Sequence, residues 1–159
     1  YDAPNFTADA IAGDFDLETP VKGDASGRGY PDLSLSGHAY QVVIGGQTIQ
    51  VDGTSCSTPV LAAMTSLVNA IRAEAGAGGI GWLNPTIYAQ ASDFAVDVTS
   101  GANKCVAEDE FCCTQGFAAT TGWDPVTGFG SVDFSKFKTV FTSDLDPRLV
   151  AAAEARLAN

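Results

Sequence analysis

The feature that most restricts the fold of this 159-residue chain is the passage from a β-rich segment into a long apolar helix around residues 53–60. Residues 40–44 and 48–51 are rich in residues that favour strands and flank a Gly-Gly pair, which predicts strand, turn and strand. Farther on, apolar side chains recur at steps of three and four residues, which predicts a helix that ends at the glycine cluster beginning with Gly76. These side chains are Val60, Leu61, Met64, Leu67, Val68 and Ile71.

Pro59 indicates where that helix starts. Proline has no amide hydrogen and is tolerated in the first turn, so residues 55–57 are expected at the helix N-terminus. The unpaired amides and the helix dipole there favour negative charge, which suits the alkoxide of an attacking serine. Ser55 is therefore a candidate nucleophile; the alternative is that Ser55 or Ser57 only caps the helix.

The chain is strongly acidic. Nineteen acidic and eight basic residues give a formal net charge of −11 and an isoelectric point of about 4.1. A phosphate backbone would be repelled by this charge, so no nucleic-acid partner is expected. The balance suits acidic surroundings, and we expect a secreted protein or one from a lysosome-like acidic compartment.

His38 is the only histidine in the chain. At acidic pH an imidazole is already protonated and cannot accept the proton of a serine, so a role in the loop or in a hydrogen bond is favoured for His38. If Ser55 attacks in acid, its base should be a carboxylate.

The length and the 45% hydrophobic content support one folded domain. No apolar run reaches the roughly 18 residues of a membrane span, and the first residues do not resemble a signal peptide, so a processed chain is expected. Asn5 begins a glycosylation sequon, which has meaning only in a secretory setting. Residues 144–159 are alanine-rich and are expected to form a helical tail.

Asp97 and Asp124 lie in turn-rich segments. Carboxylates accompanied by free backbone carbonyls are the hard oxygen ligands that calcium prefers, although such segments are more often simple turns. The four cysteines show no zinc-ligand spacing. Cys105 could close a small loop with Cys112 or Cys113, and Cys56 is expected to be a small buried thiol. The cysteine left over suggests a disulfide to a polypeptide outside this sequence.

Five motifs, in this order and with these gaps, resemble the C-terminal part of the sedolisins, the serine-carboxyl peptidases that include tripeptidyl peptidases. The motifs occupy residues 27–33, 53–59, 83–85, 97–99 and 122–130. The resemblance implies an α/β, subtilisin-like fold with a mostly parallel sheet flanked by helices. Residues 1–143 would be the C-terminal part of the catalytic domain, and residues 144–159 would be the tail.

The same resemblance assigns roles to individual residues. It makes Ser55 the nucleophile of a Gly-Thr-Ser-x-Ser motif, in which Cys56 replaces the usual alanine, so that a Cys56 nucleophile is the alternative. It also implies a calcium site, with carboxylate oxygens and backbone carbonyls as ligands and with a threonine where glycine is common. The carboxylates would come from Asp97 and Asp124, and the carbonyls from Val98, Thr120 and Gly122.

The sedolisin glutamate base, the aspartate that orients it and the aspartate of the oxyanion hole come from segments that precede the matched region. None of the acidic residues before position 25 fits those motifs, and solvated charge is their expected role; they are Asp2, Asp9, Asp14, Asp16, Glu18 and Asp24. We therefore expect an N-terminal chain of the same precursor to supply the base, and this chain alone to be inactive. The alternatives are a neutral subtilisin-type protease and a non-catalytic, calcium-stabilised module.

Overall fold

The computed structural model describes residues 28–106, 111–112 and 116–158, without the side chains of residues 106, 111 and 112. Several sequence predictions lie outside these residues. They concern the Asn5 sequon, Cys113 and the early acidic residues Asp2, Asp9, Asp14, Asp16, Glu18 and Asp24.

The predicted strand, turn and strand form a β-hairpin. Strand β1 (Tyr40–Ile44) pairs antiparallel with β2 (Gln47–Val51), and Tyr40 lies opposite Val51. Gly45 and Gly46 form the two-residue turn with φ values of 60° and 79°, as expected of a tight hairpin turn with positive φ at both central residues. The hairpin predicted from the sequence is confirmed.

Helix α1 (Thr54–Glu74) follows the hairpin. It ends before Gly76, whose φ of 80° provides the left-handed conformation common after a helix. Ser55 is its second residue, as predicted. The position of Pro59 was predicted wrongly: it lies inside the helix as the sixth residue, beyond the first turn. The helix thus begins earlier than the proline rule indicates, and Pro59 cannot donate to the carbonyl of Ser55.

Three further helices and four two-residue strands complete the described elements. The helices are α2 (Asn84–Phe94), which is kinked at Gln90, α3 (Phe134–Phe141) and α4 (Pro147–Leu157). Strand β3 (Ala95–Val96) pairs with β6 (Ser131–Val132), and β4 (Cys105–Val106) pairs antiparallel with β5 (Phe111–Cys112).

The chain divides into two compact units. Among the described residues, one unit contains residues 28–34 and those between 95 and 131, and the other contains Leu35–Phe94 and residues 132–158. The second unit includes α4, which packs against α1 and buries Ala153 completely. The boundary after residue 143, predicted from composition, stays a prediction.

An aromatic cluster forms the core of the second unit. Phe94 and Phe137 are fully buried and meet edge to face, with ring centroids 5.4 Å apart and an interplanar angle of 82°. Phe141 packs against Phe137 at 4.5 Å. Edge-to-face aromatic pairs contribute about 1 kcal/mol beyond the burial of their area. Val68 of α1 is also fully buried, so α1 turns one face toward the interior of the same unit.

Arg72 fixes the C-terminal end of α1 within the same unit. Its guanidinium donates to both carboxylate oxygens of Asp144 and to the carbonyl of Phe141, while Nε donates to the carbonyl of Gly78. The hydrogen bonds from Arg72 lower the pKa of Asp144. The bond from Arg72 to the carbonyl of Phe141 is partly buried, so it is better shielded from solvent than the ion pair with Asp144, whose side chain is 61% exposed.

The first unit is organised around loops. The indole Nε1 of Trp123 donates to the carbonyl of Pro31 at 2.9 Å, and the amide of Phe129 donates to the carbonyl of Asp32 at 2.9 Å. Gly128 has a φ of 62°, and a Cβ on it would clash with the backbone of Asp32. Glycine is needed there because the two loop segments touch backbone to backbone.

The described residues have a mixed α/β structure with small antiparallel sheets. Their β1–β2 and β4–β5 pairs are antiparallel, and Ser34 forms an isolated parallel bridge with Ser131. A mostly parallel, subtilisin-like sheet is not seen among them. Parallel neighbours are joined through long crossovers, so strands distant in the chain are required to build such a sheet. No helix in the described ranges is long and apolar enough to cross a membrane.

Candidate active site and calcium loop

Ser55 lies at the exposed N-terminal end of α1. Gly53 precedes the helix with a φ of 154° and ψ of 153° and makes no side-chain cap, and the first turn contains no acidic residue. A Cβ on Gly53 would lie 3.1 Å from the hydroxyl oxygen of Ser55. Glycine at this position therefore both permits the backbone conformation and keeps the space beside the Ser55 hydroxyl open.

The alternative that a serine caps the helix does not match the geometry. The hydroxyl of Ser57 donates to the carbonyl of Ser36 at 3.2 Å, away from the helix amides. The hydroxyl of Ser55 makes none of the hydrogen bonds found between described residues. Because no side chain occupies the helix N-terminus, its amides and dipole are available to negative charge that develops near Ser55.

The loop of residues 36–39 supports this helix start from the side. The amide of Gly53 donates to the carbonyl of Gly37 at 2.7 Å. A Cβ on Gly37 would lie 2.8 Å from both the carbonyl oxygen of Gly53 and the hydroxyl oxygen of Ser57. Gly37 is therefore required for the close approach of this loop to the nucleophile turn, and the sequence analysis did not single it out.

His38 pairs with Asp52, the residue before Gly53. The distance from Nδ1 of His38 to Oδ1 of Asp52 is 2.9 Å, and the same carboxylate oxygen accepts the amide of Ala39 at 2.6 Å. His38 shares no hydrogen bond with Ser55 among the described residues, in keeping with the predicted loop role. Asp52 was missed in the sequence. The available signal was that no other Asp, Glu, His, Lys or Arg occurs between Asp32 and Arg72.

Of the cysteines, Cys56 has a free thiol, and its side chain is partly exposed where a buried one was predicted. Its position one residue after Ser55, at the open end of α1, explains the exposure. Cys105 is disulfide-bonded and lies opposite Cys112 in the β4–β5 register. Whether its partner is Cys112 or Cys113 stays a prediction.

Asp124 is the buried centre of the second candidate site. It is fully buried, and its Oδ1 accepts the amides of Val126 at 2.9 Å and Thr127 at 2.8 Å. Its Oδ2 accepts the amide of Thr120 at 3.0 Å. A buried carboxylate that is stable without a cationic side chain requires such donors, and these bonds give Asp124 a structural role within its own loop.

Asp97 approaches the same loop from the other side. Its Oδ2 accepts the amide of Gly122 at 2.7 Å, so that residues 120–122 are held by both predicted carboxylate ligands. Asp97 is exposed, unlike Asp124. The structure thus brings four of the five predicted ligand residues together through hydrogen bonds, and Val98 follows Asp97 directly in the chain.

The donor chemistry of this loop fits a hard cation. Two carboxylates hold one loop segment, and the hydroxyl oxygen of Thr120 is buried without a hydrogen-bond partner among the described residues. A buried hydroxyl without a partner is costly, and a bound cation or its water would satisfy it. No cluster of three or more His, Cys, Asp or Glu side chains that could hold a metal occurs in the described ranges. A cation here would therefore need backbone carbonyls to complete its ligands.

Three of the five sequence motifs lie in the first unit, where residues 28–33 and 97–99 contact residues 122–130. No protein-family model matches the chain. Over 141 residues the chain is 43% identical to physarolisin of Physarum polycephalum, covering 84% of this chain and 24% of that protein. It belongs to the sedolisin family. The resemblance read from the motifs is confirmed.

Two further sedolisins show the same relation. Tripeptidyl-peptidase SED1 of Arthroderma otae is 36% identical over 121 residues, which are 76% of this chain and 17% of that protein. Tripeptidyl-peptidase 1 of Homo sapiens is 42% identical over 112 residues, which are 70% of this chain and 20% of that protein. The chain thus spans between 17% and 24% of the length of these relatives.

Proposed function

We propose that this chain is the C-terminal, nucleophile-bearing part of an acid-acting serine-carboxyl peptidase. The observation that carries the proposal is the exposed Ser55 hydroxyl at an uncapped helix N-terminus, in a chain of the sedolisin family. Two of the relatives are named tripeptidyl-peptidases, which supports peptides as the substrate class.

The proposed reaction is hydrolysis of a peptide bond. A carboxylate of the N-terminal chain takes the proton from the Ser55 hydroxyl as its oxygen bonds to the substrate carbonyl carbon. The carbon–nitrogen bond then breaks, and the amine leaves with that proton. Water, deprotonated by the same carboxylate, cleaves the acyl ester and restores the hydroxyl. The N-terminus of α1 and an aspartate of the N-terminal chain stabilise the negative charge on the oxygen of the attacked carbonyl.

An N-terminal chain of the same precursor is the proposed partner, and the surface of α1 supports it. The helix has no charged side chain from Thr54 to Ile71. On this uncharged stretch Ala62 and Ala63 are exposed, and Leu67 is 53% exposed. This apolar surface needs a cover, and completion of a mostly parallel sheet by the partner would provide it.

If the chain is bound to this partner, the native mass of the assembly is well above the 16.4 kDa of the chain. Native mass spectrometry of the protein from its source is expected to show a larger assembly. Under denaturing, reducing conditions this assembly should release the chain, whereas non-reducing conditions test for the additional disulfide to the partner. A lone 16.4 kDa species under native conditions would contradict the proposal.

We also propose calcium in the loop that joins Asp97 to Asp124. The carboxylates of these residues and the carbonyls of Val98, Thr120 and Gly122 would hold it. When bound, calcium adds a divalent positive charge that ties the loop segments together. The chain's own bonds, from Gly122 to Asp97 and from Thr120 to Asp124, already place both carboxylates against this segment.

Chelation is expected to lower the melting temperature of the complete protein by at least 5 °C, because a ligand that binds only the folded state stabilises it. Differential scanning calorimetry with and without excess chelator measures the shift, and elemental analysis counts the metal. An Asp97→Asn variant should lose most of the shift. An unchanged melting temperature together with no bound calcium would refute the site.

The working environment follows from the proposed base and the acidic composition. We propose a secreted or lysosome-like acidic compartment, and peptidase activity of the complete protein should be highest in acid. Hydrolysis rates of peptides with free and with blocked N-termini distinguish a tripeptidyl peptidase from an endopeptidase.

Two results would indicate the alternative functions. A neutral pH optimum with loss of activity in a His38→Ala variant would indicate a subtilisin-type protease. Failure of the complete protein to react with an active-serine probe would indicate a non-catalytic module.

A further inference from the structure

We propose that Asp52 is a positioning residue for the nucleophile: with His38 it forms an acid-strengthened clamp that holds residues 36–39 against the turn carrying Ser55. The inference rests on the proposed peptidase function for its kinetic consequence. The clamp itself is an independent feature of the second unit.

The carboxylate of Asp52 joins two groups of the loop. Oδ1 accepts the amide of Ala39 at 2.6 Å and pairs with Nδ1 of His38 at 2.9 Å. Ala39 has a φ of 55°, in the left-handed region that is unfavourable for residues other than glycine. A short bond from its amide to a carboxylate stabilises this strained conformation.

The clamp is close to the reacting group along the chain. Asp52 precedes Gly53, whose amide donates to the carbonyl of Gly37, and Ser55 follows two residues later. Ser57, whose hydroxyl donates to Ser36, ties the other side of the turn to the same loop. Asp52 therefore acts on Ser55 through the backbone at Gly53, and no direct contact with the substrate is required.

Along the chain, the pair is well separated from other charged side chains. From residue 33 to residue 71 no other acidic or basic side chain occurs, and the remaining titratable groups there are Tyr40 and Cys56. Hairpin β1–β2 and the start of α1, which flank the loop, therefore present no charge that competes with His38 for Asp52. The sequence shows that His38 and Asp52 have no other acidic or basic residue near them in the chain, and the fold shows that their side chains pair.

The pair responds to pH in a definite direction. The bond from the amide of Ala39, together with His38, lowers the pKa of Asp52, so its contribution is present above the ordinary carboxyl pKa and is lost only as pH falls through the lowered value. The pairing becomes an ion pair when the imidazole carries a proton, so acid strengthens it as long as Asp52 stays ionised.

The test compares Asp52→Ala, Asp52→Asn and His38→Gln variants of the complete protein with an Asp93→Ala control. Asp93 is an exposed carboxylate of α2 in the same unit, so its loss removes the same charge away from the loop. At pH 4.5, hydrogen exchange of the segment 36–53 should be about tenfold faster in Asp52→Ala than in the control, because the bond to Ala39 is gone. Asp52→Asn keeps an acceptor and should fall between the two.

The kinetic readout adds the pH dependence. We expect Asp52→Ala to lower kcat about tenfold with KM changed less than twofold, since positioning acts after binding. His38→Gln keeps a neutral donor, so its kcat should fall about threefold below wild type at pH 4.5 and match it at pH 7.5.

The outcomes separate the clamp from the peptidase. If the wild type has no peptidase activity, the proposed function fails, and hydrogen exchange still decides the clamp. Exchange in Asp52→Ala equal to that of the Asp93→Ala control overturns the clamp even in an active enzyme. If the ratio of wild-type kcat to His38→Gln kcat is the same at pH 4.5 and pH 7.5, acid does not strengthen the clamp, and that part of the proposal is overturned.

Discussion

Replacing Ser55 with alanine in the complete protein should lower peptidase kcat by about 10⁵-fold, because the members of a nucleophilic unit fail together when one is removed. The fold should survive, since Ser55 is exposed and its hydroxyl makes none of the hydrogen bonds found between described residues. Alanine also has a higher helix propensity than serine. Steady-state hydrolysis of a peptide substrate at acidic pH measures the loss, and circular dichroism monitors the fold.

The neighbouring thiol provides the matched control. Cys56 is partly exposed at the same helix end, and Cys56→Ala introduces the residue usual in this motif of the family. This variant should keep activity within about threefold of wild type and should still react with an active-serine probe. Full activity in Ser55→Ala combined with inactivity in Cys56→Ala would transfer the nucleophile role to the thiol and contradict the assignment.

Changing Asp124 to asparagine should lower the free energy of unfolding by about 3 kcal/mol, which is a fall in melting temperature of about 10 °C for a domain of this size. The carboxylate is fully buried and accepts amides of Thr120, Val126 and Thr127. An asparagine would turn its NH₂ group toward at least one of these donors, which leaves two buried hydrogens facing each other. Thermal unfolding of the complete protein measures the effect.

Chelator separates the hydrogen-bonding role of Asp124 from the proposed calcium. In excess chelator the Asp97→Asn variant should melt close to wild type, because the exposed Asp97 accepts one described amide bond, from Gly122. Asp124→Asn should remain several degrees less stable under the same conditions. If Asp124→Asn melts within 2 °C of wild type with and without chelator, both of its roles are wrong.

Local chemistry made the hairpin and α1 predictable. The Gly45–Gly46 turn and the flanking β-rich residues act over neighbouring positions, and the apolar period of α1 repeats over several turns. The rule for proline was misleading because the helix starts at Thr54, five residues before Pro59. The helix continues through Pro59 although one amide hydrogen bond is missing in its second turn.

The candidate sites show the same division. The order of residues placed Ser55 before the apolar face of a helix, and it placed Asp97 and Asp124 in turn-rich segments, because a covalent chain fixes such neighbours. The loop around Gly37, the clamp of Asp52 with His38, and the approach of Asp97 and Asp124 to one loop segment depend on residues that are far apart in sequence.

By itself, the sequence determined the family, the hairpin, the long helix and the position of Ser55 at its start. The tertiary structure decided that this helix start is uncapped, that Asp124 is fully buried by its own loop, and that Leu67 of α1 is exposed. The physical reason is that propensity and periodicity act between neighbours in the chain. Burial, charge pairing and close backbone approach arise only when distant segments exclude water together.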